Sequence, residues 1–338
     1  MPNYCLLLQP SHNRLYTAHG SQMALSELAA LNAAYNGVLT DLSPAALDTA
    51  PCVTFTCTDI TPLQPLLARL SASFLLFEQV SETYKPMPLG GKTALEEDLV
   101  SIPKYSGKTN ERFTRLLINT ALLASNFHAL PPAQVAILDP LCGRGTTMFE
   151  GALHGHPTAG IETDKKEVDW GADYFKKYLK TKRWKHKRTD ENIADQHGAF
   201  ARRIAFDFAP DKDSYKQPLT MDWVRGDTRQ APRLFKKRLF QLLVADLPYG
   251  VQHGAAADTG SFTRNPLQLL DQSLPGWREL LAPGGAIALS WNTHVMKRLQ
   301  LEETLQRHGF SVQPVPGAGF VHRVDQAILR DLIVARKQ

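Results

Sequence analysis

Apolar positions change their period along this chain, and the change divides it near residue 108. In the first 80 residues, short strand-like runs at 4–8, 52–58 and 72–78 alternate with stretches at helical spacing, 21–34 and 61–70. Residues 83–107 hold Pro86, Pro88, Gly90, Gly91, Pro103 and Gly107, a linker composition. From 108 onward the pattern is helix and strand in turn. A periodic helix at 111–126 precedes an apolar strand at 135–139, a helix at 146–154 and a strand at 158–162. Apolar strands at 242–246 and 286–291, one around 223–224, and stretches near 310 and 327–335 complete the series. Strands alternating with helices over this length predict an α/β fold with a doubly wound, mostly parallel sheet. The expected division is a small α/β domain at 1–85, a linker at 86–107 and a larger domain at 108–338, with a basic insertion at about 175–219.

Composition leaves this picture intact and removes others. The 338 residues are 43% hydrophobic and 21% charged, which excludes disordered and collagen-like chains. Cys5, Cys52, Cys57 and Cys142 form no CxxC pair, so neither a disulfide framework nor a zinc site is expected. A reducing, cytoplasmic compartment fits, no metal is expected, and no apolar run is long enough for a membrane span. The opening MPNYCLLLQP lacks the basic region of a signal peptide. The net charge of +5 is concentrated: FKKYLKTKRWKHKR, residues 175–188, carries eight Lys or Arg and no acid. Such a stretch suits a polyanion. Lys176, Lys180, Arg183 and Lys187 recur at three or four and predict one helix face, with Trp184 placed to stack on a base, and Lys185 and Arg188 adding charge.

Four acids each follow an apolar strand. Asp139 opens Asp139-Pro140-Leu141-Cys142-Gly143-Arg144-Gly145-Thr146-Thr147, a glycine loop between a strand and a helix. Gly143 and Gly145 allow a tight turn and close approach of a ligand. An acid at the loop's start suits a ligand with an ammonium group and hydroxyls better than a pyrophosphate. Glu162, followed by Thr163, ends the next strand, where an acid holds ribose hydroxyls. Asp227, followed by Thr228, comes after the third strand and would accept from an adenine amine. The fourth strand delivers Asp246-Leu247-Pro248-Tyr249-Gly250. Asp246 and the Leu247 carbonyl would accept the hydrogens of a planar amine, Pro248 stiffens the loop, and Tyr249 offers an aromatic face.

Together these residues resemble class I S-adenosylmethionine-dependent methyltransferases, over about 101–338. DPLCGRGTT is similar to the first cofactor motif, Glu162 to the ribose acid and Asp227 to the adenine contact. DLPYG is similar to the (D/N)PPY motif of amino-group methyltransferases, with Leu247 at the first Pro. KYSGKTNERFT, residues 104–114, resembles the motif that packs against the cofactor's methionine end, which implies Lys108, Thr109 and Phe113 as cofactor residues. The loop and DLPYG together resemble the tRNA guanosine-N2 methyltransferases that carry a THUMP domain. The resemblance implies a Rossmann-like seven-stranded sheet, and the N-terminal 90 residues have room for a small ferredoxin-like unit but not for a THUMP domain as well. RNA contact is therefore assigned to the basic segment.

The resulting expectation is an RNA methyltransferase, on tRNA first, that acts on guanine N2. Adenine N6 in RNA or DNA is the close alternative. A nicotinamide oxidoreductase and a non-catalytic RNA-binding protein are the rivals of other classes; the acid-first loop and DLPYG speak against the former, the four intact acids against the latter. His322 and Arg323 are candidates to reach the pocket or to pack.

Overall fold

The structure is a computed structural model that describes residues 1–9, 14–91, 93–105, 107–236, 238–248, 266–317 and 319–338, with the backbone alone for 14–19. The N-terminal part runs β1 (Asn3–Leu8), α1 (Arg14–Ala34), β2 (Thr40–Leu47), β3 (Ala50–Thr56), α2 (Gln64–Leu67), β4 (Ser73–Val80) and β5 (Thr83–Met87). Its sheet has the order β2-β3-β1-β4-β5, with every neighbouring pair antiparallel. The first four strands and two helices are the split βαβ arrangement of ferredoxin-like units. Leu6, Leu28, Val53, Phe55, Leu67 and Leu76 form its core. The two strands that the pattern does not reveal, β2 and β5, are the edges, and each carries a proline, Pro44 and Pro86, which an edge tolerates.

The rest of the chain continues as α3 (Asp98–Ser101), α4 (Glu111–Ala124), β6 (Ile137–Asp139), α5 (Thr146–Leu153), β7 (Thr158–Glu162), α6 (Lys165–Thr181), β8 (Lys185–Asp195), β9 (Gly198–Ala209), β10 (Leu219–Arg225), α7 (Ala231–Phe235), β11 (Phe240–Asp246), α8 (Pro266–Leu280), β12 (Leu281–Asn292), α9 (Arg298–Arg307), β13 (Phe310–Val312), β14 (His322–Arg323) and β15 (Leu329–Lys337). One sheet holds all ten strands, in the order β13-β15-β12-β11-β6-β7-β10-β9-β8 with β14 on β15. Within it, β10-β7-β6-β11-β12-β15-β13 is the seven-stranded Rossmann-like arrangement: the first five are mutually parallel and β15 runs antiparallel to its neighbours. The apolar runs explain the layering. Ile137, Leu242 and Ala288 face α4, and Met148 and Phe175 of α5 and α6 meet Trp223, whereas Leu138, Leu243 and Ile287 face α7, α8 and α9.

Residues 175–219 differ from the expectation. The helix ends at Thr181, and residues 185–209 form the hairpin β8–β9, which extends the sheet past β10. Ile204, Phe206 and Phe208 alternate and are buried against Phe175 and Trp223. The basic residues therefore do not share a helix face. Lys176 and Lys180 are on α6, Arg183 turns the chain at φ 57°, and Lys187 is on β8.

The expected linker is anchored in part: Leu95, Leu99 and Val100 are buried with Phe149 and Val168. The N-terminal unit meets the large sheet through α1 and α4. Buried Glu27 accepts from the Ser71 N–H (2.9 Å) and hydroxyl (2.6 Å) and from the Asn119 amide (2.7 Å), and its burial raises its pKa. No helix among the described residues is long and apolar enough to cross a membrane.

Candidate active site

Strands β11, β6, β7 and β10 are consecutive neighbours and parallel, so the chain leaves all four at one edge of the sheet. Asp246, Asp139 and Glu162 end the first three, and Asp227 follows β10 by two residues. The connections diverge between β6 and β11, the switch point where open sheets form a ligand crevice. The four sequence-predicted acids thus stand in one row.

The glycine loop rises from β6. Gly145, at φ 95°, precedes α5, and a Cβ there would lie 3.1 Å from the Trp223 ring. At Gly143, φ 50°, a Cβ would meet nothing within 4 Å, so the loop borders open space. Glu162 ties the loop to β7: its Oε2 accepts the Gly143 N–H at 3.1 Å, and its Oε1 accepts those of Thr163 (2.7 Å) and Asp164 (2.8 Å). The Tyr105 and Thr146 hydroxyls are 2.6 Å apart. Asp139 is buried, accepts the Leu141 N–H at 3.0 Å beside the Thr147 hydroxyl, and has its pKa pushed up to about 7, mainly by burial, with Asp246 and Glu162 adding to it. Cys142 is a packing residue: a Cβ on Gly160 would lie 2.5 Å from its Sγ, and burial pushes the thiol far above its usual range.

Asp227 is held by its own loop. Arg229 donates to both carboxylate oxygens from its side chain (Nε at 2.9 Å and 3.0 Å, Nη2 at 2.5 Å), which lowers the Asp227 pKa. The Thr228 hydroxyl turns inward and accepts the Trp277 indole N–H at 2.9 Å. A cavity of about 460 Å³ opens beside Asp227, lined also by Thr163, Arg225 and, from the β8–β9 hairpin, Asn192, Phe200 and Arg202.

Asp246 is reached from the segment before α4, from β12 and from β15. Its Oδ2 accepts the Thr109 hydroxyl at 2.6 Å, its Oδ1 accepts the Ser290 hydroxyl, and the Arg330 Nη2 is 3.6 Å from Oδ2. Leu247 is buried, and its N–H donates to the Ser290 carbonyl at 2.8 Å. Pro248 follows on the surface, while Tyr249 and Gly250 lie outside the described residues, as does Ser106. Of the residues at 104–114, Thr109 reaches Asp246. Lys108 donates to the Val100 carbonyl (2.5 Å) and Glu111 (3.3 Å), and Phe113 is fully buried under the Arg330 guanidinium, 4.7 Å from its ring centroid. His322 is buried against Phe113 and packs, with its Nδ1 2.9 Å from the Phe320 carbonyl. Ser290 and Arg330 have no motif to announce them; only strand register places Ser290 opposite Asp246.

The basic residues lie elsewhere. Lys185 pairs with Ala209, and Phe208 pairs with Leu219 at the start of β10, so this end of β8 is at the sheet edge opposite the acids. Two of the cations are neutralised: Lys182 by Glu96 (2.8 Å) and Asp98 (2.5 Å), and Arg188 by Asp173 (2.6 Å) and Asp190 (2.8 Å). Trp184 is half-buried beside Phe208, their ring centroids 6.1 Å apart. Lys176, Lys180, Arg183, Lys185 and Lys187 form no ion pair among the described residues.

The chain is similar to several solved structures at low identity. TrmN from Thermus thermophilus is 18% identical, with 78% of this chain and 57% of that one covered and a TM-score of 0.42. The 16S rRNA N2 methyltransferase RsmC of the same organism is 16% identical, with 90% and 60% covered and a TM-score of 0.38. Magnesium protoporphyrin IX methyltransferase from Synechocystis is 13% identical, with 69% and 87% covered and a TM-score of 0.39. The chain thus spans under two thirds of the TrmN chain. A search of curated proteins finds no match. Residues 121–308, more than half of the chain, match the family described as UPF0020, RMKL-like, methyltransferase domain, and the chain belongs to that family of methyltransferases.

Proposed function

We propose that the protein transfers a methyl group from S-adenosylmethionine to an exocyclic base amine of RNA, with guanine N2 in tRNA as the target. The observation that carries this reading is the row Asp246, Asp139, Glu162 and Asp227 on one sheet edge, next to a glycine loop. The donor set fits the cofactor. Open space above Gly143 leaves room for it, a buried carboxyl at Asp139 would gain charge stabilisation from an ammonium, and Glu162, tied to the loop by the Gly143 N–H, would accept ribose hydroxyls. Asp227 would take the adenine end, beside the cavity walled by the hairpin.

Asp139, Glu162 and Asp227 would hold S-adenosylmethionine, which would supply an electrophilic methyl group on a positive sulfur. The target base is swung out of its stack into the crevice. Asp246 and the Leu247 carbonyl accept the amine hydrogens and turn the nitrogen lone pair toward the methyl. Much of the rate comes from this alignment, and the Asp246 charge stabilises the nitrogen as it becomes positive. Tyr249 is assigned the stacking role by its motif.

Lys176, Lys180, Arg183, Lys185 and Lys187 would neutralise phosphates. Register sets Asn192 of β8 level with Arg225 at the acid end of β10, so Lys185 lies roughly 23 Å along the sheet from the acid row, and a structured RNA such as tRNA suits the protein better than a short strand. In this reading residues 1–85 form a domain that orients the RNA. Titration calorimetry with S-adenosylmethionine and with NAD tests the cofactor: binding of the former supports the reading, and binding of NAD alone overturns it.

A further inference from the structure

A carboxylate turns easily about its last bond, whose torsion is broad and two-fold. An Asp that must accept an amine along one direction therefore needs something to stop that rotation. Among the described residues two hydroxyls stop Asp246, from different parts of the fold. Ser290 lies directly across from it on β12, is fully buried and gives its hydroxyl to Oδ1. Thr109 gives its hydroxyl to Oδ2 at 2.6 Å. The next residue, Asn110, caps α4 by accepting the N–H groups of Arg112 (3.0 Å) and Phe113 (3.2 Å), which fixes the backbone from which Thr109 reaches. A buried hydroxyl must find an acceptor, but half-buried Thr109 is under no such compulsion, and its bond goes to the same group. Ser290 also accepts the Leu247 N–H at 2.8 Å, so one residue holds both the acid and the residue whose carbonyl is the second amine acceptor. Arg330, at 3.6 Å, adds a balancing charge from beyond hydrogen-bond distance.

We propose that Thr109 and Ser290 are positioning residues for methyl transfer, and that one hydroxyl on each oxygen of Asp246 sets the direction in which its carboxylate accepts the substrate amine. The inference rests on the reading of Asp246 given under Proposed function. It moves Thr109 from cofactor contact, where its motif would place it, to the acid.

Thr109→Val keeps the shape and removes the donor at a half-buried site, and Ser290→Ala does the same in the sheet. Each is measured with its conservative partner, Thr109→Ser and Ser290→Thr, for kcat, KM, S-adenosylmethionine affinity and Tm. The expected result is a kcat lower by roughly tenfold to a hundredfold, cofactor affinity within about twofold of the parent, an unchanged Tm for Thr109→Val, and recovery of most of kcat in Thr109→Ser. An unchanged kcat in Thr109→Val overturns the inference. So does weaker cofactor binding at constant kcat, which would return Thr109 to the cofactor. A parent protein that methylates no nucleic acid overturns the underlying reading and the inference with it.

Discussion

Asp139 gives the account its sharpest quantitative consequence. Burial holds its carboxyl at about 7 instead of 3.8, a displacement that corresponds to about 4 kcal/mol. In the empty protein below pH 7 the group is mostly protonated. A ligand ammonium beside it favours the charged form, so binding must expel a proton. Cofactor affinity should therefore rise by nearly tenfold per pH unit well below pH 7, and by roughly thirtyfold in all from pH 5.5 to the plateau above pH 7. Calorimetry at pH 6 in two buffers of different ionisation heat should show about one proton released per site, and none at pH 8. Asp139→Asn should abolish both the pH dependence and the proton release. The sign for folding is opposite to the usual carboxylate. The folded chain holds this proton more tightly than the unfolded one, so Asp139 costs stability as pH rises from about 4 through 7. Asp139→Asn should accordingly melt higher than the parent at pH 8 and not at pH 4. A parent affinity that is flat between pH 5.5 and 7.5, or an Asn variant that keeps the slope, would rule out Asp139 as the ammonium's partner.

Other outcomes follow from the same geometry. Asp246→Ala should lose turnover in a methyl-transfer assay and keep much of its cofactor affinity by calorimetry. Gly145→Ala forces a Cβ onto a φ of 95° and toward Trp223, and should cost about 1–2 kcal/mol in denaturant melts while weakening the cofactor. Glu27→Ala leaves the Asn119 amide and the Ser71 groups without their acceptor and should lower stability by about 1–3 kcal/mol, measured by urea unfolding. Replacing Lys180, Lys185 and Lys187 with Ala should lessen the slope of log affinity for tRNA against log salt by about one per phosphate contact removed, with affinity for isolated cofactor unchanged.

Three members of the acid row were legible because the apolar run ends in its acid: ILD, GIE and LLVAD announce both the strand and what it delivers, and Asp227 follows its strand by two residues. Strand order then brings the acids together. Their partners were not legible. Ser290 sits within the apolar run AIALSW and reads as a small interior residue until register sets it opposite Asp246. Arg330 lies on β15 and reaches Asp246 only through the sheet. The β8–β9 hairpin was obscured by charge. The cations run past the helix end at Thr181, and Arg183 takes a left-handed turn without the glycine that would mark it. The alternation of Ile204, Phe206 and Phe208 was the available signal for β9. An absence of acids within 175–188 also misled, because Asp98, Asp173 and Asp190 lie outside that stretch and pair with it in space.

The central claim is methyl transfer to an exocyclic base amine in RNA. Its most direct test incubates the purified protein with tritiated S-adenosylmethionine and bulk tRNA lacking the modification, followed by nucleoside mass spectrometry. Labelled N2-methylguanosine is the expected product; labelled N6-methyladenosine would keep the mechanism and change the base. RNA and DNA that both stay unlabelled, with cofactor bound, would contradict the claim.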